Sequence, residues 1–219
     1  MNSQLQAFYQ SVLPQLTNIV GSASGISQPH LIKVPAAYTQ ISVKLMIVGQ
    51  HTRGWGPSQQ VPMDVDALMA MYDTFDLGYH YEATPFWGAA HQISRNVNRL
   101  GPCGVFLWSN LVKVDQNGGR PDPQIESDVG ALGLLQQEIA ITMPDGIFFL
   151  TGPQFRSRMD MTFPGLGRCQ VASQIAQLTH QRLPPCSFET YHPGFLKRSR
   201  QWDVLNNATC LLLQCLHDN

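Results

Sequence analysis

The chain has 219 residues, enough for one α/β domain with a real core, and its 43% hydrophobic content excludes a disordered polymer. Charged residues make up only 13%, well under the usual share of about a quarter. The formal net charge of -1 removes any global basic field that would announce a nucleic-acid partner, so only a local patch could serve one.

The five cysteines (Cys103, Cys169, Cys186, Cys210, Cys215) are odd in number, irregularly spaced and without a Cys-x-x-Cys pair. That predicts free thiols in a reducing compartment rather than a disulfide frame, a zinc site or an iron–sulfur cluster. No metal and no cofactor is expected. The first residues, Met1-Asn2-Ser3-Gln4-Leu5-Gln6, carry neither a basic segment nor an apolar core of a leader, and no apolar run approaches the length of a membrane span. A soluble cytoplasmic protein with no membrane partner is the expectation.

In chain order, residues 3–20 show helical spacing at Leu5, Phe8, Tyr9, Val12 and Leu16, with Pro14 expected to bend or divide the helix. Residues 21–39 are rich in Gly, Ser and Pro and read as an irregular approach to a first strand over 43–48. An amphipathic helix follows over 63–75, its start marked by Asp64 and Asp66. Thr84-Pro85-Phe86-Trp87 reads as a cap and first turn of a helix reaching about Leu100. A second strand over 103–108 is followed by Ser109-Asn110, and Asn117-Gly118-Gly119 marks a loop. One long helix is expected over 125–143, a third strand over 147–150, and a poorly patterned stretch over 154–185 with a short helix and an extra strand near 169–171. A fourth strand over 187–191 and a last helix over 200–216 close the chain. Repeated strand–helix units with short apolar strands predict a single α/β domain over residues 1–219, a three-layer α-β-α sandwich around a mainly parallel four-stranded sheet.

Three of these strands run into polar, turn-rich ends: Gly49-Gln50-His51, Ser109-Asn110 and His192-Pro193-Gly194. In a parallel sheet such ends share one edge, where open α/β folds bind their ligands, so two His and an Asn are expected to meet in one crevice.

The same segments resemble the uracil-DNA glycosylase superfamily. Leu45-Met46-Ile47-Val48-Gly49-Gln50-His51-Thr52-Arg53 stands where that family has an apolar strand and Gly-Gln-Asp-Pro-Tyr-His. Gly104-Val105-Phe106-Leu107-Trp108-Ser109-Asn110 resembles the strand whose Asn reads the base. Gly146-Ile147-Phe148-Phe149-Leu150-Thr151-Gly152 is similar to the third strand, and Thr190-Tyr191-His192-Pro193-Gly194-Phe195-Leu196 to the His-Pro-Ser-Pro-Leu motif. The match runs in order from about Val43 to Arg198.

The resemblance implies a monofunctional DNA glycosylase, which rotates the target nucleotide out of the duplex and hydrolyses its N-glycosidic bond. It implies that His192 donates to the base carbonyl oxygen where charge develops, and that Asn110 binds the Watson–Crick edge. Gly49 and Gln50 would bring backbone N–H groups to base and sugar-phosphate. Leu196 falls at the wedge position, with Phe195 able to share that role. Lys197, Arg198 and Arg200 form the densest basic patch and suit phosphate contacts, a solvated helix start being the plainer reading. Phe86 and Trp87 are candidates to stack on the flipped base or to pack in the core, and Trp55, flanked by glycines, is expected to be exposed as lid or wedge. Double-stranded DNA, phage DNA included, is the expected partner, and the protein is expected to act as a monomer.

The chain departs from the family at two positions. His51 replaces the water-activating Asp; a neutral imidazole can orient water or accept a proton but lacks fixed negative charge. Asp115, Asp122 and Glu126 are the carboxylates that could take part instead. Arg53 replaces the Tyr that bars bases with a C5 substituent, which implies a larger, more polar pocket. The expected target is a pyrimidine bulkier than uracil, such as glucosylated hydroxymethylcytosine of phage DNA, removed in anti-phage defence, with Gln50, Arg53 and Gln59 facing sugar hydroxyls. Three other readings stay open: a conventional uracil-DNA glycosylase in base-excision repair, a catalytically silent DNA-binding protein, and a hydrolase of free nucleotides or nucleosides. Metal-dependent hydrolysis by His51, His91 and His192 has no spacing motif behind it.

Overall fold

A computed structural model describes residues 1–57, 64–100, 102 and 104–218. Gln59, Cys103 and Met63, which figure in the expectations above, lie outside the described residues. The protein is α/β, with a sheet of six strands rather than four: β1 (Leu45–His51), β2 (Leu107–Val112), β3 (Gly146–Phe149), β4 (Gly167–Ala172), β5 (Ile175–Thr179) and β6 (Cys186–Thr190), in the order β2-β1-β3-β6-β5-β4. β1, β3 and β6 are parallel, while β5 and β4 extend the sheet antiparallel as a hairpin. The expected single extra strand near 169–171 is therefore one arm of a pair.

The chain packs as two compact units. The first comprises Met1–Val34, Gln50–Asp76 and Ser109–Thr142; the second comprises Pro35–Gly49, Leu77–Trp108 and Met143–Asn219.

In the second unit the apolar strands form the core. Leu45, Met46, Ile47 and Val48 are fully buried, as are Ile147, Phe148 and Phe149, and Phe188 nearly so. Strands buried on both faces read as continuous apolar runs, which is why these were legible. Val48 pairs with Phe149 and Phe149 with Glu189, so the carboxyl ends of β1, β3 and β6 lie at one edge of the sheet. After β3 comes the short helix α6 (Arg156–Thr162); helix α3 (Pro85–Val97) packs against α7 (Pro193–Arg198) and α8 (Val204–Asp218), and α8 packs on β6. Arg200, at φ 58, separates α7 from α8, so the expected single helix over 200–216 starts only at Val204. Cys186 of β6 and Cys215 of α8 are joined by a disulfide, with Cα atoms 5.7 Å apart. This corrects the expectation of free thiols throughout: packing of α8 on β6 brings together two cysteines that no sequence spacing pairs. Cys169 and Cys210 are free and exposed.

In the first unit α1 (Asn2–Gly21) packs against α2 (Val65–Thr74), α4 (Pro123–Ala131) and α5 (Leu134–Thr142) through Leu5, Tyr9, Leu16 and Val20. Pro14 lies inside α1 without dividing it. It stands on the exposed side, where water can satisfy the carbonyl it leaves unpaired. Asp64 caps α2 by accepting from the Ala67 N–H at 2.7 Å. The long helix expected over 125–143 is two, α4 and α5, parted at Gly133, whose φ of +66 stops the first one. Among the described residues no helix is long and apolar enough to cross a membrane.

Candidate active site

In the second unit, main-chain bonds close the sheet edge. Leu150 N–H donates to the Val48 carbonyl at 2.9 Å and Gly152 N–H to the Thr190 carbonyl at 3.1 Å. Thr151-Gly152 and Tyr191-His192 therefore leave the ends of neighbouring strands together, beside Gly49 within β1. Gly152 has φ +73, and a Cβ there would lie 3.3 Å from the His192 backbone nitrogen, so this turn needs glycine on both counts.

His192 is half-buried and caps α7. The Gly194 N–H donates to its Nδ1 at 3.1 Å. Since Nδ1 accepts, the neutral ring holds its proton on Nε2, a donor. The half-buried Phe86 ring at the start of α3 lies nearly parallel to the His192 ring, at 19° and 6.2 Å between centroids. Trp87, in contrast, is a core residue, packed edge-on to Trp108 at 4.7 Å and over Gly78. His91 is buried too, its Nε2 3.0 Å from the Leu77 carbonyl.

One DNA-contact expectation changes in α7. Leu196, to which the resemblance gives the wedge role, is completely buried and packs in the core, not on the surface as a wedge requires. Phe195 beside it is 40% exposed, its ring 4.9 Å from that of Tyr191. Lys197, Arg198 and Arg200 are exposed, and none of them forms an ion pair among the described residues.

In the first unit, Gln50 and His51 are the last residues of β1, both half-buried, so the strand runs three residues further than its apolar pattern suggested. His51 Nδ1 is bonded to the Thr52 carbonyl oxygen. A carbonyl only accepts, so Nδ1 carries the proton and Nε2 holds the lone pair. Arg53 is exposed. Trp55 is 5% exposed, against the expectation of a lid or wedge. It packs edge-on to His30 at 4.8 Å and Phe75 at 5.3 Å.

Asp115 explains that inward turn. Its Oδ2 accepts from Thr52 Oγ1 at 2.8 Å, Gly54 N–H at 2.8 Å and Trp55 N–H at 3.3 Å, while Oδ1 accepts from Gly118 N–H at 2.8 Å. The other two candidate carboxylates are also engaged. Asp122 caps α4 through the Gln124 N–H, and Glu126 accepts two bonds from the Arg120 guanidinium at 2.7 and 2.8 Å.

Asn110 lies inside β2, not at its end, and is 1% exposed. Its Nδ2 has no hydrogen-bond partner among the described residues. Side chains alternate along a strand, so Asn110 points to the face opposite Ser109. Ser109 belongs to a buried polar cluster that sequence reasoning missed. Its hydroxyl donates to Glu138 Oε2 at 2.7 Å, Lys113 Nζ bonds both Ser109 Oγ and Glu138, and Tyr9 OH donates to Glu138 Oε1 at 2.9 Å. Burial pushes the Lys113 ammonium below its ordinary value, with Glu138 opposing. Burial, and then the Lys113 charge, push His30 well below its own. The signal was a Lys inside the apolar run Val112-Lys113-Val114 and a Glu on the apolar face of Leu134, Leu135 and Ile139.

No family model matches this chain, and no curated protein matches it significantly.

Proposed function

We propose that this protein is a DNA glycosylase of the uracil-DNA glycosylase superfamily type, with that family's three-layer arrangement, and that it excises a bulky C5-modified pyrimidine. Glucosylated hydroxymethylcytosine of phage DNA is the favoured substrate and anti-phage defence the role. The observation that carries the reading is Asn110: a carboxamide 1% exposed whose Nδ2 finds no protein partner among the described residues. An unsatisfied buried donor costs about 1–3 kcal/mol. A base edge that reached Nδ2 would supply the missing acceptor.

The two histidines suit opposite halves of the hydrolysis. His192, with its proton on Nε2, stabilises the departing base by donating to the oxygen where negative charge builds, a contribution of roughly 10²–10³ in rate for such donors. His51, with its lone pair on Nε2, takes a proton from the attacking water as the C1′–N bond breaks and the C1′–O bond forms. The base leaves as an anion and is reprotonated afterwards. Phe86, parallel to His192, suits stacking, and the exposed Arg53 leaves open the position that an aromatic wall would close. Phe195 takes the wedge role, with Lys197, Arg198 and Arg200 on phosphates.

An alkali-cleavage assay on duplexes carrying uracil, a thymine mismatch, hydroxymethylcytosine or its glucosylated form tests this. Cleavage at the glucosylated base is expected. Ready release of uracil with the glucosylated base left intact rejects the substrate, and no abasic site on any duplex rejects the enzyme.

A further inference from the structure

The geometry points to Asp115 as a positioning residue that fixes which nitrogen of His51 carries the proton. The segment after β1 is wrapped around this one carboxylate: Thr52 Oγ1, Gly54 N–H and Trp55 N–H converge on Oδ2, and Gly118 N–H holds Oδ1. Gly54 reaches its place at φ +70. Ser27 locks the carboxylate's own backbone from both sides, its N–H donating to the Asp115 carbonyl at 2.9 Å and its Oγ accepting from the Asp115 N–H at 2.9 Å. With both carboxylate oxygens and its carbonyl already engaged by protein donors, Asp115 is not itself a base for water.

Its reach to His51 runs through Thr52, which is bonded at both ends. The Thr52 hydroxyl donates to Asp115, and the Thr52 carbonyl accepts from His51 Nδ1. Catalytic and metal-binding histidines have their tautomer set in this way by the partner of the second nitrogen. Here the carboxylate acts one residue removed: it anchors Thr52, Thr52 presents its carbonyl, and the carbonyl holds the imidazole as the Nδ1–H form with Nε2 basic. Once Nε2 gains a proton, the imidazolium donates from Nδ1 into a segment that ends on a buried negative charge. This supplies, at one remove, the carboxylate that the family motif places directly at position 51. The catalytic consequence rests on the glycosylase reading; the tautomer does not.

Nitrogen-15 NMR of the histidine side chains in the full chain tests both parts. Wild type is expected to show Nδ1–H at His51 and Nε2–H at His192. In Thr52→Val and Asp115→Asn, His51 is expected to move to the Nε2–H form while His192 stays unchanged. The Thr52 variant keeps the test open should the Asp115 variant fail to fold. An Nε2–H signal at wild-type His51, or an unmoved Nδ1–H signal in a folded variant, overturns the assignment. Single-turnover excision from glucosylated hydroxymethylcytosine DNA is expected to slow by about 10- to 100-fold, part of the ~10²–10⁴ that general bases contribute, at unchanged DNA Kd. A slowing explained wholly by weaker DNA binding also overturns it. If the wild type excises no base, the glycosylase reading falls and the tautomer comparison alone decides the role of Asp115.

Discussion

The Gly194 N–H sits 3.1 Å from His192 Nδ1, and that one bond makes the ring a donor through Nε2. It also makes Gly194 more than a helix residue. A Cβ there would lie 3.1 Å from Nδ1 and 3.4 Å from Cε1, so the ring would have to give way. Gly194→Ala is expected to slow excision about tenfold while costing about 1 kcal/mol of stability, the low end for overpacking. His192→Ala removes the donor and is expected to lose about 10²–10³ in rate. Single-turnover rates beside DNA Kd check both; equal losses in Kd and rate would mean that the ring binds DNA rather than assists departure.

Asn110 gives the opposite signature in stability. Its Nδ2, without a partner among the described residues, is a buried cost that Leu, of similar size, does not carry. Asn110→Leu is expected to stabilise the protein by about 1 kcal/mol, which is ~2–4 °C in Tm for a chain of this length, and to abolish excision. Calorimetry and the alkali assay read the two effects separately. A lower Tm with excision intact would show that the amide serves the fold.

Acid should loosen the first unit through His30. Its pKa is held well below the ordinary 6.5, first by burial and then by the Lys113 charge. Below pH 6.5 the unfolded chain therefore binds a proton that the folded chain refuses, and stability falls as pH drops from there toward the folded-state value, by at most about 1.4 kcal/mol per pH unit. Lys113, also lowered, has the same sign in the window below its ordinary 10.5: stability rises with pH there. His30→Phe keeps a ring against Trp55 and Tyr72 and is expected to flatten the acid limb, measured as urea midpoints at pH 7 and pH 5. An unchanged pH 7 to pH 5 difference would assign the acid loss to another group.

What was legible divides along physical lines. Runs such as Met46-Ile47-Val48 and Ile147-Phe148-Phe149 announce strands because both faces are buried. The β4–β5 hairpin was half missed because Arg168, Cys169 and Gln170 give β4 no apolar pattern, and its turn uses Gln174 at φ 61 instead of a glycine. The motif singled out Asn110 but put it at a strand end, since the polar pair Ser109-Asn110 interrupts the apolar run and hides β2 continuing to Val112. Trp55 between two glycines looked exposed; the grip of Asp115, 60 residues away, turns it inward. The cluster around Glu138 and the Cys186–Cys215 pair are likewise products of distant packing.

On the glycosylase reading, Leu196 and Phe195 separate a fold role from the proposed DNA contact by one residue. Leu196 is wholly buried, so Leu196→Ala is expected to cost about 2–5 kcal/mol. Phe195 is 40% exposed, so Phe195→Ala is expected to stay within about 1 kcal/mol of wild type while weakening excision from duplex more than from single-stranded DNA, where no hole needs filling. Denaturant melts and paired duplex and single-strand rates check this. Equal losses on both substrates would remove the wedge.

The basic residues after Phe195 make a claim that salt can test. Lys197, Arg198 and Arg200 project into solvent with no carboxylate partner among the described residues, so each is available to a phosphate. Each phosphate neutralised contributes about 0.9 to the slope of log K against log salt on duplex DNA. Removing all three, as Lys197→Gln, Arg198→Gln and Arg200→Gln together, is expected to flatten that slope by about 2–3 and to weaken binding uniformly across sequences. Exposed residues of this kind contribute little to folding, so the melting temperature should hold. An unchanged slope would mean that the three cations are only a solvated helix end, and that the electrostatic footprint for DNA lies elsewhere on a chain whose net charge is -1.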